Sequence, residues 1–467
     1  MEKFQPELMD VARLFLPVAQ DIEAKHSSDI SGGCWVDNVS VFADGREKTI
    51  KRSVQAYEGE DELTYIRLRK RACKQALYYA LKEATGYTPP WGSLTGIRPT
   101  RLVYEAMNDG LTLDEAISSV IDRFDVREDN AKLLGQICKM QEGIYDTGSE
   151  GLDVYIGIPF CLTRCTYCSF AATDLKHGKK LIAPYVDALV KEIEAAALDM
   201  RKMGRKIRCL YMGGGTPTSL SAAQLERVLK TARDGFEIEG EITVEAGRPD
   251  TIDLDKLNVI KNAGTTRISI NPQTMNDKTL ELIGRKHSAQ DIRDAFLMAR
   301  DLGFDNINAD IIAALPGEDK NDLKYTLDEL IKIRPESLTV HTLAIKRSSA
   351  LHSEEYKQTD PDEAQEMVLM ARKAALDNGY MPYYLYRQKY MAGNLENVGY
   401  SLPGFQCVYN IDIMEETTPI LAFGAGAISK WTYDRARRIE RAPNLKNIEL
   451  YTARIDEMIE RKRKLYE

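Results

Sequence analysis

Between residues 151 and 345, short apolar runs alternate with longer amphipathic ones, and this alternation sets the expected fold. The runs at 154–158, 207–212, 241–245, 266–270, 306–312 and 337–341 have the length and composition of buried strands. Between them, 185–203, 222–234, 254–262, 291–302 and 323–333 read as amphipathic helices. Strands alternating with helices of this length predict parallel βαβ units, because a parallel neighbour needs a crossover connection that a helix supplies. The expected class is α/β, and six such strands suit a partial (β/α)6 barrel better than a flat sheet. A doubly wound sheet would show the same spacing.

The flanks have a different character. Residues 9–16 read as helix, 35–42 and 49–57 as strands joined at Ala43-Asp44-Gly45, and 65–83 as a long helix. A turn-rich stretch from Tyr87 to Thr100 follows, then helices to about residue 146, and 148–151 reads as a linker. After residue 345, a helix at 361–378 precedes a Gly- and Tyr-rich tract of weak periodicity. The expected organisation is an N-terminal α+β accessory module at 1–150, the partial barrel at 151–345 and a C-terminal extension at 346–467. Within 66–82, Arg67, Arg69, Lys70, Arg71, Lys74 and Lys82 occur without an acid. Such a run reads first as the wet face of a helix, and second as a contact for anionic groups.

Composition narrows the class. The chain has 467 residues, 63 Lys plus Arg and 71 Asp plus Glu, hence a net charge of −8. An acidic balance argues against general nucleic-acid binding. Glu2, Glu7 and Asp10 interrupt the first twenty residues, which rules against a secretory pattern. The longest apolar stretch, 420–428, is half of what a membrane span needs. The expectation is a cytoplasmic protein without a membrane span, its cysteines reduced unless a metal holds them.

Three of the eight cysteines stand together, as Cys161, Cys165 and Cys168 in a Cys-x3-Cys-x2-Cys run just after the first strand. In an α/β barrel the active site lies at that end of the strands. Three thiolates reach three irons of a [4Fe–4S] cube and leave the fourth iron open for chemistry. A structural zinc with Cys209, Cys407 or a histidine as fourth ligand is the other reading, although zinc ligands usually come as two short pairs. Cys34, Cys73, Cys138, Cys209 and Cys407 read as ordinary semi-buried residues.

The run resembles that of the radical S-adenosylmethionine (SAM) enzymes. The pattern Y-x-x-I-P-F-C ending at Cys161 narrows the likeness to the oxygen-independent coproporphyrinogen III oxidase family. The stretches 243–249, 268–273 and 341–346 resemble its coproporphyrinogen dehydrogenase (HemZ-type) branch, and the likeness covers about 150–430. It implies a [4Fe–4S] cluster on Cys161, Cys165 and Cys168, with SAM as the second cofactor. It also implies a SAM pocket built from Gly214, Gly215 and Thr216 after the second strand and Glu245 at the end of the third. Gln273, Arg285 and Asp310 would extend that pocket, and Tyr155, Tyr167, Ala344 and Ile428 would complete it. His341 is left as a substrate-side group. The implied partners are a porphyrinogen substrate and a reducing flavodoxin- or ferredoxin-type protein, with the C-terminal extension completing the substrate side.

The implied activity is radical oxidative decarboxylation of coproporphyrinogen III propionates to vinyls. The alternatives are a haem-binding chaperone of the same family and a radical methyltransferase acting on another tetrapyrrole. Three departures from the family pattern bear on this choice. Gly247-Arg248 replaces a single Asn before Pro249, Phe170 stands where the oxidases carry a further cysteine, and 396–401 lacks the His and Trp of the chaperone pattern H-N-x-x-Y-W.

Overall fold

The structure, a computed structural model, describes every residue except 1–3, 17, 20, 97, 146–150, 171, 347, 354, 355, 357, 358 and 434–437. The linker expected at 148–151 therefore lies outside the described residues, apart from Gly151. The chain forms two compact units. One comprises Met1–Gly135 with Arg387–Lys389 and Gly393–Leu395, and the other Gln136–Tyr386, Tyr390–Ala392 and Glu396–Glu467.

In the first unit, β1 (Ile22–Ser31), β2 (Cys34–Ala43) and β3 (Arg46–Gln55) form an antiparallel meander. The helices Gln5–Ala12 and Glu62–Thr85 accompany it, and the first lies four residues earlier than the expected 9–16, a 3-10 turn following at Arg13–Phe15. Strand β2 alternates, so that Val39, Val41 and Ala43 are buried in one core with Ala76, Leu77, Ala80 and Leu81 of the long helix. The β2–β3 turn lies at Asp44 (φ 47°) and Gly45 (φ 81°), the left-handed pair whose twist suits a two-residue hairpin. Asp61 caps the long helix by accepting from Leu63 N and Thr64 N, and Gly86 ends it at φ 72°.

Strand β1 was not expected. It is an edge strand, mostly exposed and polar, and it pairs through its backbone without any period-two apolar signal. The basic run also differs from a simple wet face. Arg69 turns inward to the buried Asp37, Lys70 meets Glu7 at 3.1 Å and Lys82 meets Asp125 at 2.6 Å.

In the second unit, β4 (Leu152–Ile158) leads to a short pair, β5 (Phe160–Cys161) and β6 (Thr173–Asp174). Then come β7 (Ile207–Gly214), β8 (Ile238–Gly247), β9 (Arg267–Ile270), β10 (Ile307–Ala313) and β11 (Ser337–Thr342). Strands β4, β7, β8, β9, β10 and β11 are parallel neighbours in that order. The helices Ile182–Lys202, Ala222–Gly235, Leu254–Asn262, Ala289–Asp301 and Lys320–Ile333 connect them.

The weakly periodic C-terminal tract extends this sheet at both ends. Strands β12 (Met381–Tyr386) and β13 (Asn397–Ser401) add antiparallel beside β11. Strand β14 (Ile420–Phe423) adds parallel beside β4, followed by the hairpin of β15 (Ile428–Tyr433) and β16 (Arg438–Pro443). The eleven-stranded sheet is thus an open α/β sheet with β12 and β16 at its ends. No helix among the described residues is long and apolar enough to cross a membrane.

Candidate functional site

The three neighbouring cysteines lie in the loop that leaves β4. Cys161 closes β5, Cys165 is buried and Cys168 is half-buried, and all are free thiols. The loop is tied down along its length. Thr166 N donates to Ile283 O at 3.1 Å, Leu351 N to Thr166 O at 3.1 Å and Thr163 Oγ1 to Gly284 O at 3.2 Å. Burial pushes the Cys161 thiol up to about 11; Thr216 opposes this, while Cys168 and Cys165 add to it. Burial raises the Cys168 thiol as well, and a cation or metal cluster beside these two would offset that cost.

The glycine run at the end of β7 has a steric cause. A Cβ on Gly215 would stand 2.7 Å from Phe160 O and 3.0 Å from Cys161 Sγ, and one on Gly213 2.8 Å from Glu245 Oε2. Gly214 adopts φ 110°. The next residue, Thr216, directs its hydroxyl to Cys161 Sγ at 3.5 Å.

Beside this run lies a polar layer. Glu245 accepts a hydrogen bond from Tyr211 Oη. Burial pushes its carboxyl up to about 7, with Asp310 adding to the rise and Tyr211 opposing it. Asp310 accepts from Asn308 Nδ2 at 2.7 Å, and His341 Nε2 stands 3.7 Å from its other oxygen. His341 Nδ1 lies 3.2 Å from Tyr386 Oη. Tyr211 in turn stacks with Tyr155 and Tyr409, Tyr211 and Tyr409 most closely at 4.6 Å.

Arg285 is buried, donating to Asn271 O at 2.6 Å and to Tyr167 Oη at 3.3 Å. Gln273 has φ 68°, and its backbone splices onto β10 through Asp310 O and Ile312 N, each at 2.9 Å. The structure thus joins Cys161 to Thr216, Tyr167 to Arg285, and Glu245 to the layer of Asp310 and His341. Ala344 is half-buried and bridges to Met391, and Ile428 opens β15 with 45% of its surface exposed. Neither takes part in these polar contacts.

Cys209 and Cys407 belong elsewhere. Cys209 Sγ donates to Asp153 at 3.0 Å and Cys407 Sγ to Glu241 at 3.1 Å. Asp153 lies near the start of β4, whereas Cys161 follows its far end. Both thiols are fully buried rather than semi-buried. Sequence reasoning missed Tyr211, Asn308, Tyr386, Tyr409 and Arg248 as site residues. Only Arg248 carried a signal, the extra residue before Pro249.

Residues 155–330 match the Radical SAM superfamily. The oxygen-independent coproporphyrinogen-III oxidase-like protein HemZ of Bacillus subtilis is 38% identical over 397 residues, which is 83% of this chain and 79% of that protein. The heme chaperone HemW of Lactococcus lactis is 29% identical over 279 residues, 58% of this chain and 68% of that one. Among solved structures, coproporphyrinogen III oxidase (HemN) from Escherichia coli, a radical SAM enzyme, has a TM-score of 0.54 at 24% identity. That match covers 72% of this chain and 74% of that one, and it is a likeness of fold. With a relative this similar across most of both sequences, the chain belongs to the oxygen-independent coproporphyrinogen-III oxidase-like family of the radical SAM superfamily.

Proposed function

We propose that the chain oxidatively decarboxylates propionate side chains of coproporphyrinogen III to vinyl groups, yielding protoporphyrinogen IX in anaerobic haem biosynthesis. One observation carries this reading. A triad of free thiols and a buried carboxylate layer meet across one glycine run, at the carboxyl ends of parallel strands. In an open α/β sheet that edge is where ligands bind.

The donor set fits the two cofactors. Cys161, Cys165 and Cys168 would hold a [4Fe–4S] cluster, being sulfur-only, free and tied to one anchored loop. SAM would lie along Gly214, Gly215 and Thr216, with Glu245, Gln273, Arg285 and Asp310 around it and Tyr155, Tyr167, Ala344 and Ile428 at its edges. When bound, the two together supply a radical able to remove a hydrogen atom from an unactivated carbon. The protein's own share is placement and exclusion of water. Asp310 offers a carboxylate acceptor to a hydroxyl or amine, Arg285 a guanidinium to a carboxylate, and the tyrosine stack is tied to Glu245 through Tyr211. A flavodoxin- or ferredoxin-type protein would supply the electron that starts each round, an oxidised one-electron carrier would accept the electron released with CO2, and residues 1–150 would act as an accessory module.

The chaperone alternative meets an obstacle at 396–401. Glu396 is buried and paired with Arg372 at 2.7 Å, and Asn397 accepts from Thr342 N at 2.8 Å. This segment serves the packing of β13, and it offers no histidine to a haem iron.

The test is an anaerobic turnover assay of full-length reconstituted protein with coproporphyrinogen III, dithionite and mass detection. The expected result is 5′-deoxyadenosine together with the divinyl product. Substrate returned unchanged would reject the oxidase reading, and a methylated product would favour the methyltransferase.

A further inference from the structure

Near the end of β8 the chain reads Glu245-Ala246-Gly247-Arg248-Pro249, and the fold shows where Arg248 goes. The pairing of β8 with β9 shifts register between Glu245 and Gly247, and Gly247 adopts φ 75°. This irregularity bends the strand end, and Arg248 turns into the cysteine loop, 3% exposed.

A buried guanidinium must use its donors. Nε and Nη2 of Arg248 form a fork on the Asp250 carboxylate, at 3.0 and 2.7 Å. Nη1 donates to Thr163 O at 3.0 Å and Thr163 Oγ1 at 2.8 Å, and reaches Cys165 Sγ at 3.8 Å. Asp250 in turn faces the buried ring of His287, whose Nδ1 is 3.9 Å away. One planar group thereby spans the cysteine loop and a fixed counter-charge. Arg285 is the second guanidinium beside Cys165.

We propose that Arg248 is a positioning residue that makes the iron–sulfur cluster easier to reduce, through its charged N–H donor to Cys165. This rests on the reading that Cys161, Cys165 and Cys168 hold a cluster. Hydrogen bonds and charge near the sulfurs set a cluster's potential. Reduction adds one electron, so the reduced form carries more negative charge and gains more from the guanidinium than the oxidised form does. A reductant in the cell then meets a cluster it can reduce more readily. The rival account is that Arg248 only braces the loop through Thr163. A brace would change how much cluster forms and leave its potential alone.

The test is an EPR-monitored redox titration of the reconstituted full-length protein, without SAM, with iron content measured alongside. R248Q keeps a neutral donor and removes the charge. Its reduced-to-oxidised ratio at fixed solution potential should fall at least tenfold, about 59 mV for a one-electron couple. R248K keeps the charge without the fork on Asp250 and should fall less. D250N removes the counter-charge, leaves Arg248 uncompensated beside Cys165, and should move the midpoint upward. An iron-loaded R248Q with the wild-type midpoint overturns the proposal. If R248Q fails to load iron, an unchanged or lowered midpoint in D250N overturns it instead. Wild-type protein that takes up no iron would overturn the cluster reading itself, a result separable from an unmoved midpoint.

Discussion

Glu245 on β8 and Asp310 on β10 repel each other's charge, yet their surroundings drive them in opposite directions. Burial lifts Glu245 to about 7, and the Asp310 charge adds to the lift. Burial alone would raise Asp310 as well, but the nearby His341 and hydrogen bonds from Asn308 and Thr339 outweigh it and hold Asp310 below the ordinary carboxylate range. Two carboxyls pushed apart in this way can take different protonation states at one pH.

A stability prediction follows for the cofactor-free protein. Glu245 holds its proton longer when folded, so between its unfolded value near 4.5 and about 7 the folded state binds more protons. Stability therefore falls as pH rises through that window, by up to about 1.4 kcal/mol per pH unit from this one group. E245Q should remove that slope, measured as the difference between the two proteins in denaturant melts from pH 4.5 to 7.5. Parallel stability profiles would contradict the raised value.

Reconstituted protein should contain about four irons, the count of a cubane cluster, and the C161A/C165A/C168A variant should lose most of them. Iron analysis with the visible absorbance of the cluster reads this directly. Full loading of the triple variant would remove these cysteines from the site.

D310A and E245A should each weaken SAM binding while leaving the iron content intact. Loss of a hydrogen-bonded charged partner costs about 1.5–3 kcal/mol, or roughly ten- to a hundredfold in affinity. Calorimetry on the iron-loaded proteins measures it. Wild-type affinity in both variants would contradict the assigned pocket.

In the first unit, Asp37 is held by Arg69 at 2.7 and 2.8 Å and by His26 at 2.6 Å, in an otherwise apolar strand face. Burial alone would raise its carboxyl, but these partners hold it well below the usual range. Its contribution is therefore complete above the unfolded value of about 3.9 and is lost as pH falls below it. R69M should destabilise this unit by about 3–5 kcal/mol at neutral pH, because it leaves a buried carboxylate short of its main partner. Hydrogen exchange in Glu62–Thr85 reports the loss, and a change below about 1 kcal/mol would show that His26 suffices.

The parallel strands, their crossover helices and the cysteine loop were legible in the chain because each rests on neighbours in sequence. Period and length mark a helix or strand, and three thiols within eight residues mark a metal site wherever the loop folds. Strand β1 and the strands after residue 380 left no such mark. Strand β1 is an almost wholly exposed edge, and β13 is buried throughout, so neither shows an alternation to read. The pairing of β14 with β4 joins residues more than 260 apart, and a pattern confined to neighbouring positions carries no trace of it. The same holds for the site's polar partners. Whether His341 meets Asp310, Tyr211 meets Glu245 and Arg248 meets Cys165 depends on which strand ends converge. The composition of Gly247-Arg248 flagged an oddity, but only the left-handed turn and the register shift aim the guanidinium at the loop. Local periodicity decided the elements; burial, which makes most buried donors find an acceptor, decided the contacts.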